Sequence, residues 1–369
     1  MIREAMERAT THAVGARRLP RAIGVLGVCL LPAIAAAQDF SRTQYAELLA
    51  AYKKSEIDAA VSGMKRLTSS PDPLRVVNVW LDGARRARDV AALELALMLH
   101  TECVADGERV GAAPGTHGWS VQVAAVRRIF TALRSLAPRT LFLRNWYLLW
   151  ESIQQSAGRL TAPDSAEYLN LALEDFPNDP ELLLAAGSRH EMLWWYGSAN
   201  PQRRPSGGPP SDRHLDTAAD WLRRSVDADP RPPEPRLRLG RVLFLRGNTH
   251  AAEAALRQLT LSTVEPAFRY LALLFLGDLL EHRGDNAAAV TAYRSAIGLV
   301  MIDQSARVAA AQLAHKVGRR SDAAEEIGRA LTRPTTGSDP WWVYLRGQSW
   351  RFQQRLSVAL SMVRPLVRQ

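Results

Sequence analysis

Beyond residue 38 the apolar positions recur at steps of three and four and almost nowhere in strict alternation, a pattern that predicts helices and no sheet. Phe40, Tyr45, Leu48, Leu49, Tyr52, Ile57, Val61, Met64 and Leu67 keep this period behind Ser41-x-x-Gln44. That spacing is a capping box, in which the serine hydroxyl and the glutamine amide satisfy each other's backbone N–H groups. A long first helix is expected there, broken near Ser55. After the turn residues Ser69-Ser70-Pro71-Asp72-Pro73, stretches 74–87 and 90–105 are joined so tightly that an antiparallel helix pair is expected. Glycines and Pro114 mark 106–118 as a loop, and helices resume over 121–136 and 141–157.

From about residue 146 the pattern repeats itself. One unit reads Leu276-Gly277, Leu280, Gly284, Ala289, Tyr293 and Ala296. The same register fits Leu239-Gly240, Leu243, Gly247, Ala252, Leu256 and Leu259 before it, and Ala310-Ala311, Ala314, Gly318, Ala323, Ile327 and Ala330 after it. Gly284 and Gly318 stand 34 residues apart, Gly247 and Gly284 37. Upstream, Ala218, Leu222 and Ser225 lead to Pro230, and Leu169 and Ala172 lead to Pro177, as two further second-helix endings. This set of landmarks resembles the tetratricopeptide repeat family position by position, and five units, the first degenerate, cover about 146–333.

The resemblance implies an all-α fold, a right-handed α–α superhelix of antiparallel helix pairs. Its concave surface is lined by the first helix of each pair and holds a peptide or helix of another protein. Carried onto this chain, the inward positions are Glu181, Leu184, Ser188 and Glu191; Leu237, Arg241 and Phe244; Leu274, Asp278 and Glu281; Val308, Gln312 and His315. Ser188, Glu191, Arg241, Phe244, Asp278, Glu281, Gln312 and His315 are the candidate groove contacts. The recurring Lys and Asn with which family members clamp a terminal carboxylate are missing, so the groove names no ligand class.

Three regions depart from the signature. Residues 38–145 have helical texture without landmarks and form a separate N-terminal region of possible divergent repeats. A Pro- and Gly-rich insertion near 198–213 interrupts the repeat region 146–337. Residues 338–369, opening on Asp339-Pro340-Trp341-Trp342-x-Tyr344-Leu345, are expected to supply capping helices, because the end of a repeat stack needs a cover. At least one ring of each adjacent pair, Trp194-Trp195 and Trp341-Trp342, is expected to be exposed.

The N-terminus changes the setting. Arg17, Arg18 and Arg21 precede an apolar run over 22–37 that closes on Ala35-Ala36-Ala37. This is a signal peptide with an A-x-A cleavage site. The run is interrupted by Pro32 and falls short of the ~20 residues that span a bilayer. A periplasmic or secreted protein without stable membrane insertion is expected. Without residues 1–37 the chain keeps 42 basic and 35 acidic side chains, interspersed as on solvated helix faces, so nucleic acid is not expected as a partner. Cys103 is then the sole cysteine, which leaves no intrachain disulfide.

The search for chemistry assigns no catalytic residue, no metal and no cofactor. His100, His117, His190, His214, His250, His282 and His315 are scattered without metal-site spacing. His190-Glu191 begins like H-E-x-x-H, but Trp194 holds the fifth place. Trp150-Glu151-Ser152 is similar to the start of the lytic transglycosylase motif and lacks its glycine-rich continuation. The expectation is a non-enzymatic protein-binding scaffold or assembly adaptor of the bacterial cell envelope. The alternatives are a self-associating structural component and a peptidoglycan-acting enzyme.

Overall fold

The computed structural model describes residues 40–107, 115–156, 160, 165–199, 212–261, 263–332 and 337–363. The signal peptide expected over 1–37 and most of the insertion near 198–213 lie outside them. The described residues form α-helices and one short 3-10 turn, with no strand. They fall into two compact units, one within 154–350 and the other within 40–153 with 351–363.

The N-terminal unit opens with α1 (Arg42–Lys53) and α2 (Ile57–Thr68). The Gln44 N–H donates to Ser41 Oγ at 3.2 Å and the Ser41 N–H to Gln44 Oε1 at 2.7 Å, so the capping box closes in both directions. Ser55 takes φ +61 and ends α1, which turns the expected long helix into two. Helix α3 (Pro73–Ala87) begins on an Asp72 cap with proline in its first turn, where a missing N–H is harmless. Helices α4 (Val90–Ala105), α5 (His117–Leu136) and α6 (Leu141–Ser156) complete the run. The units divide inside α6, between Ile153 and Gln154, where the sequence suggested a boundary at 145 and 146.

Bulky rings make this unit's core. Phe130 and Trp146 stack at 5.0 Å, Trp146 and Trp150 at 5.4 Å, and Tyr45 meets Trp80 edge-on at 5.1 Å. The polar groups around Tyr45 and Trp146 are paired, as burial demands. Tyr45 Oη lies 2.8 Å from His100 Nε2, the other ring nitrogen bonds Gln122 Oε1, and the Trp146 indole N–H donates to Thr101 Oγ1 at 2.8 Å.

The repeat unit holds α7 (Glu167–Asp175) and four hairpins: α8 (Pro180–Ala199) with α9 (Arg213–Ala228), α10 (Pro233–Leu245) with α11 (Thr249–Arg257), α12 (Pro266–His282) with α13 (Asn286–Ala296), and α14 (Gln304–Lys316) with α15 (Arg320–Leu331). The last three hairpins share one turn. Gly247, Gly284 and Gly318 take φ +80, +83 and +83, a left-handed conformation that costs glycine least. In each, the glycine N–H bonds the carbonyl three residues back and the next N–H bonds the one five back. This double closure satisfies the orphan carbonyls of the first helix. Asn248 and Asp285 then cap the second helix, accepting from the N–H groups of Ala251 and Ala288.

Inside the hairpins a helical glycine lies under a large side chain of the second helix. A Cβ on Gly277 would stand 2.3 Å from the Tyr293 ring, and one on Gly187 2.5 Å from Leu222. The landmark residues are therefore the close-approach points of each pair. First helices also pack on first helices, α8 on α10, α10 on α12 and α12 on α14, which makes their outward sides one continuous inner face.

Two helices follow. Helix α16 (Pro340–Leu345) packs on α12 within the repeat unit. Helix α17 (Phe352–Val363) packs on α4 within the N-terminal unit, where Arg355 donates to the Leu148 carbonyl at 3.1 Å and to Ser152 Oγ at 2.6 Å. Among the described residues, each of these two helices thus packs within its own unit. The outer positions of α15 stay open, with Ile327 38% and Leu331 79% exposed. Their counterparts 34 residues earlier, Tyr293 and Ile297, are buried or packed against the core.

Candidate functional site

The inner face of the repeats is occupied by the chain's own residues 339–348. Asp339 starts the segment at the end of α14. The Asp303 side chain that precedes α14 makes no capping bond to it. In its place Asp339 Oδ2 accepts from the Ser305 N–H at 2.8 Å and from the Tyr270 hydroxyl at 2.9 Å, while Tyr270 Oη accepts from the Ala306 N–H at 3.1 Å. A carboxylate at a helix N-terminus both fills orphan donors and meets the positive end of the macrodipole. Asp339 Oδ1 also accepts from the Trp341 N–H at 2.9 Å, so one residue caps two helices.

Trp341 and Tyr344, one turn apart on α16, then point the same way. Trp341 meets Phe275 edge-on at 5.6 Å, Tyr344 meets it at 5.1 Å, and the two rings stack at 5.8 Å. Arg241 lies over both Phe275 (4.6 Å) and Trp341 (4.7 Å), and Arg238 lies 4.4 Å over Tyr344. Cations desolvated on ring faces gain from the ring quadrupole.

Arg238 is the hub. Nε bonds Glu234 Oε1 at 2.9 Å, Nη1 bonds Glu191 Oε2 at 2.8 Å, and Nη2 reaches the carbonyls of Tyr344 (3.3 Å) and Gly347 (3.4 Å). The Tyr344 hydroxyl donates to Glu191 Oε1, the Gln348 amide donates to Glu234 Oε1 at 2.8 Å, and the Gln348 N–H donates to Gln155 Oε1. Burial by itself would depress the Arg238 guanidinium, but Glu234 and Glu191 outweigh it and hold the cation above its ordinary range. Burial, and then Glu191, push the Tyr344 hydroxyl well up, which keeps it a donor. Gly347 takes φ +58, and a Cβ there would meet Met192 Sδ, so the position favours glycine.

The candidate contacts separate into two groups. Glu191 and Arg241 lie buried beneath the segment, and Ser188 is buried near them on α8. Phe244 meets the His282 ring at 5.6 Å; Glu281 accepts from Tyr293 Oη at 3.3 Å and pairs with Lys316 at 3.1 Å; burial raises the Asp278 carboxyl against the pull of Arg241. Gln312 is half-buried and His315 exposed. Of the tryptophans, Trp341 is 4% exposed and Trp342 41%, as expected of that pair, whereas Trp194 and Trp195 are both half-buried.

Sequence reasoning missed Arg238, Glu234, Asp339, Tyr344 and Gln348 as site residues. Only the Glu234–Arg238 spacing hinted at a pair, and an i,i+4 ion pair reads as solvated surface. It also missed His190 and His214, 24 residues apart, whose Nδ1 atoms stand 3.2 Å from each other. Burial, His214 and Arg189 bring His190 down to about 4. Glu151, of the transglycosylase-like triplet, is buried. Among the described residues no group of three or more His, Cys, Asp or Glu side chains could hold a metal ion, and no helix is long and apolar enough to cross a membrane.

This architecture, hairpins in a shared glycine register whose first helices make one face, is a tetratricopeptide-like helical repeat. No family model matches the sequence, and no curated protein does. Among solved structures the chain is similar to the crystal structure of MamA, at 21% identity over 48% of this chain and 90% of that one, with a TM-score of 0.37. It is similar to pilF of Pseudomonas aeruginosa at 14% identity over 59% and 88%, with a TM-score of 0.41. PilW, described as a widely conserved type IV pilus biogenesis factor, is similar at 18% identity over 66% and 96%, with a TM-score of 0.43.

Proposed function

We propose that this chain is an exported, non-enzymatic protein-binding scaffold of the bacterial cell envelope, an assembly adaptor that holds part of another polypeptide on the inner face of its repeats. The observation that carries this reading is that the face already holds polypeptide: ten residues, anchored by Asp339, Trp341, Tyr344 and Gln348, lie along α8, α10, α12 and α14. Aromatic and arginine anchors in desolvated settings are what binding hot spots are made of. The leader-like N-terminus supports export.

The test is affinity capture from an envelope fraction on the purified full chain. A partner retained at stoichiometric yield and identified by mass spectrometry is expected. Recovery of none under several salt conditions, or clearing of peptidoglycan in a zymogram, would sink the reading. Cell fractionation with N-terminal sequencing should find a chain that starts at Gln38. A second reading, self-association into a structural component, is favoured by the open apolar positions Ile327 and Leu331 on α15. Light scattering separates the two, because an adaptor stays monodisperse on its own.

A further inference from the structure

We propose that residues 339–348 are an intramolecular ligand, and that the inner face takes in exchange a segment of another protein with the same chemistry: a carboxylate, an indole two residues on and a phenol three further. The inference rests on the protein-binding reading and names the ligand class that reading leaves open.

The segment is held as a bound peptide is held. Asp339, Trp341, Tyr344, Gly347 and Gln348 are buried while Trp342 and Arg346 are exposed. Its helix has six residues, too few to stand without the surface beneath it. Each inward group meets a receptor formed between a different pair of neighbouring hairpins. The α14 N-terminus and Tyr270 take the carboxylate, Phe275 and Arg241 the indole, and Glu191 and Arg238 the phenol.

The receptor is ionic where a permanent plug would not need to be. Replacing a buried ion network with well-packed apolar residues is often neutral or stabilising, so Arg238, Glu191 and Glu234 are weak devices for holding the fold together. They are strong devices for discrimination. A site that hydrogen-bonds a hydroxyl rejects the analogue lacking it, because its own buried groups are left unpaired. Glu191 makes that demand of the phenol.

Tethering explains why an exchangeable ligand is found in place. A segment on a short connection acts at an effective concentration on the order of millimolar. A free competitor with micromolar affinity for the empty face is therefore excluded from the intact chain. Loss of the two aromatic anchors on the tether weakens that competition and leaves every receptor residue intact.

The experiment uses a fluorescein-labelled peptide of residues 339–348 and anisotropy against the full chain. We expect at least ten-fold tighter binding to a Trp341→Ala/Tyr344→Ala chain than to the wild-type chain. A peptide carrying Tyr344→Phe should lose about ten-fold on the double variant. A folded double variant that binds neither peptide, or both alike, overturns the proposal. Hydrogen exchange on the wild-type chain covers a variant that fails to fold: amides of 341–348 should exchange faster than those of α12, and equal protection overturns the proposal. A wild-type dimer that trades these segments between copies would assign the occupant to a second copy and overturn it as well. Partner capture from envelope can succeed through another surface whatever the peptide does, so the two readings fail separately.

Discussion

Two buried polar networks, one in each unit, are built in opposite ways. Around His100 the network is neutral: Tyr45, Gln122 and the imidazole pair with one another, and burial holds His100 down at about 4, against the upward pull of the Gln122 hydrogen bond. Around Arg238 it is charged, with two carboxylates on one guanidinium. A neutral network needs only shape to be satisfied. A charged one fails heavily when a single member is missing, which makes it sensitive to what is seated against it.

Removal of one member from each network tests that contrast most strongly. Arg238→Met strands Glu191 and Glu234 in a dry setting and is expected to cost about 3–5 kcal/mol in urea denaturation. Gln122→Met leaves the His100 ring N–H unpaired and is expected to cost about 1–3 kcal/mol. Equal losses would erase the distinction between the two networks. Gly277→Ala, which drives a methyl group into the Tyr293 ring, should cost about 1–3 kcal/mol through overpacking of the hairpin. No loss there would mean that the register glycines do not set the helix spacing.

Protonation sharpens the comparison further. The unfolded chain charges its histidines near 6.5. Folded His100 and His190 resist until about 4. Between these values the unfolded state holds more protons, so stability is full above about 6.5 and declines as pH falls toward 4. The drop in Tm across this window should be smaller in His100→Gln than in the wild-type chain, and a larger drop would contradict the assignment of a neutral folded imidazole. The smallest effect is expected at the open end of the stack, where Leu331→Lys should change stability by no more than about 0.5 kcal/mol.

The repeat unit was legible because its signature is steric. Gly240, Gly277 and the alanines of the second helices mark where two helices touch, and such positions recur at a fixed spacing in any sequence that stacks this way. The N-terminal unit carries no such mark, since Trp146, Phe130 and Tyr147 fill space with rings that obey no repeat. The occupant of the inner face was illegible for another reason. Asp339-Pro340 has the form of an ordinary helix start and does start α16, but its second bond, to Ser305, spans 34 residues and depends on tertiary placement alone. Arg238 meets Tyr344 and Gly347 across 106 and 109 residues, beyond the reach of any local pattern.

Helix α17 sets the order in which the molecule can be finished. Synthesis runs from the N-terminus, and a domain usually folds as its chain emerges. Here the helices α1 to α6 leave the ribosome long before the helix that packs on α4 and gives Leu148 and Ser152 their Arg355 partner. The whole repeat array is made in between. The unit that begins first is completed last, and a chain interrupted anywhere before residue 352 leaves it without its closing helix.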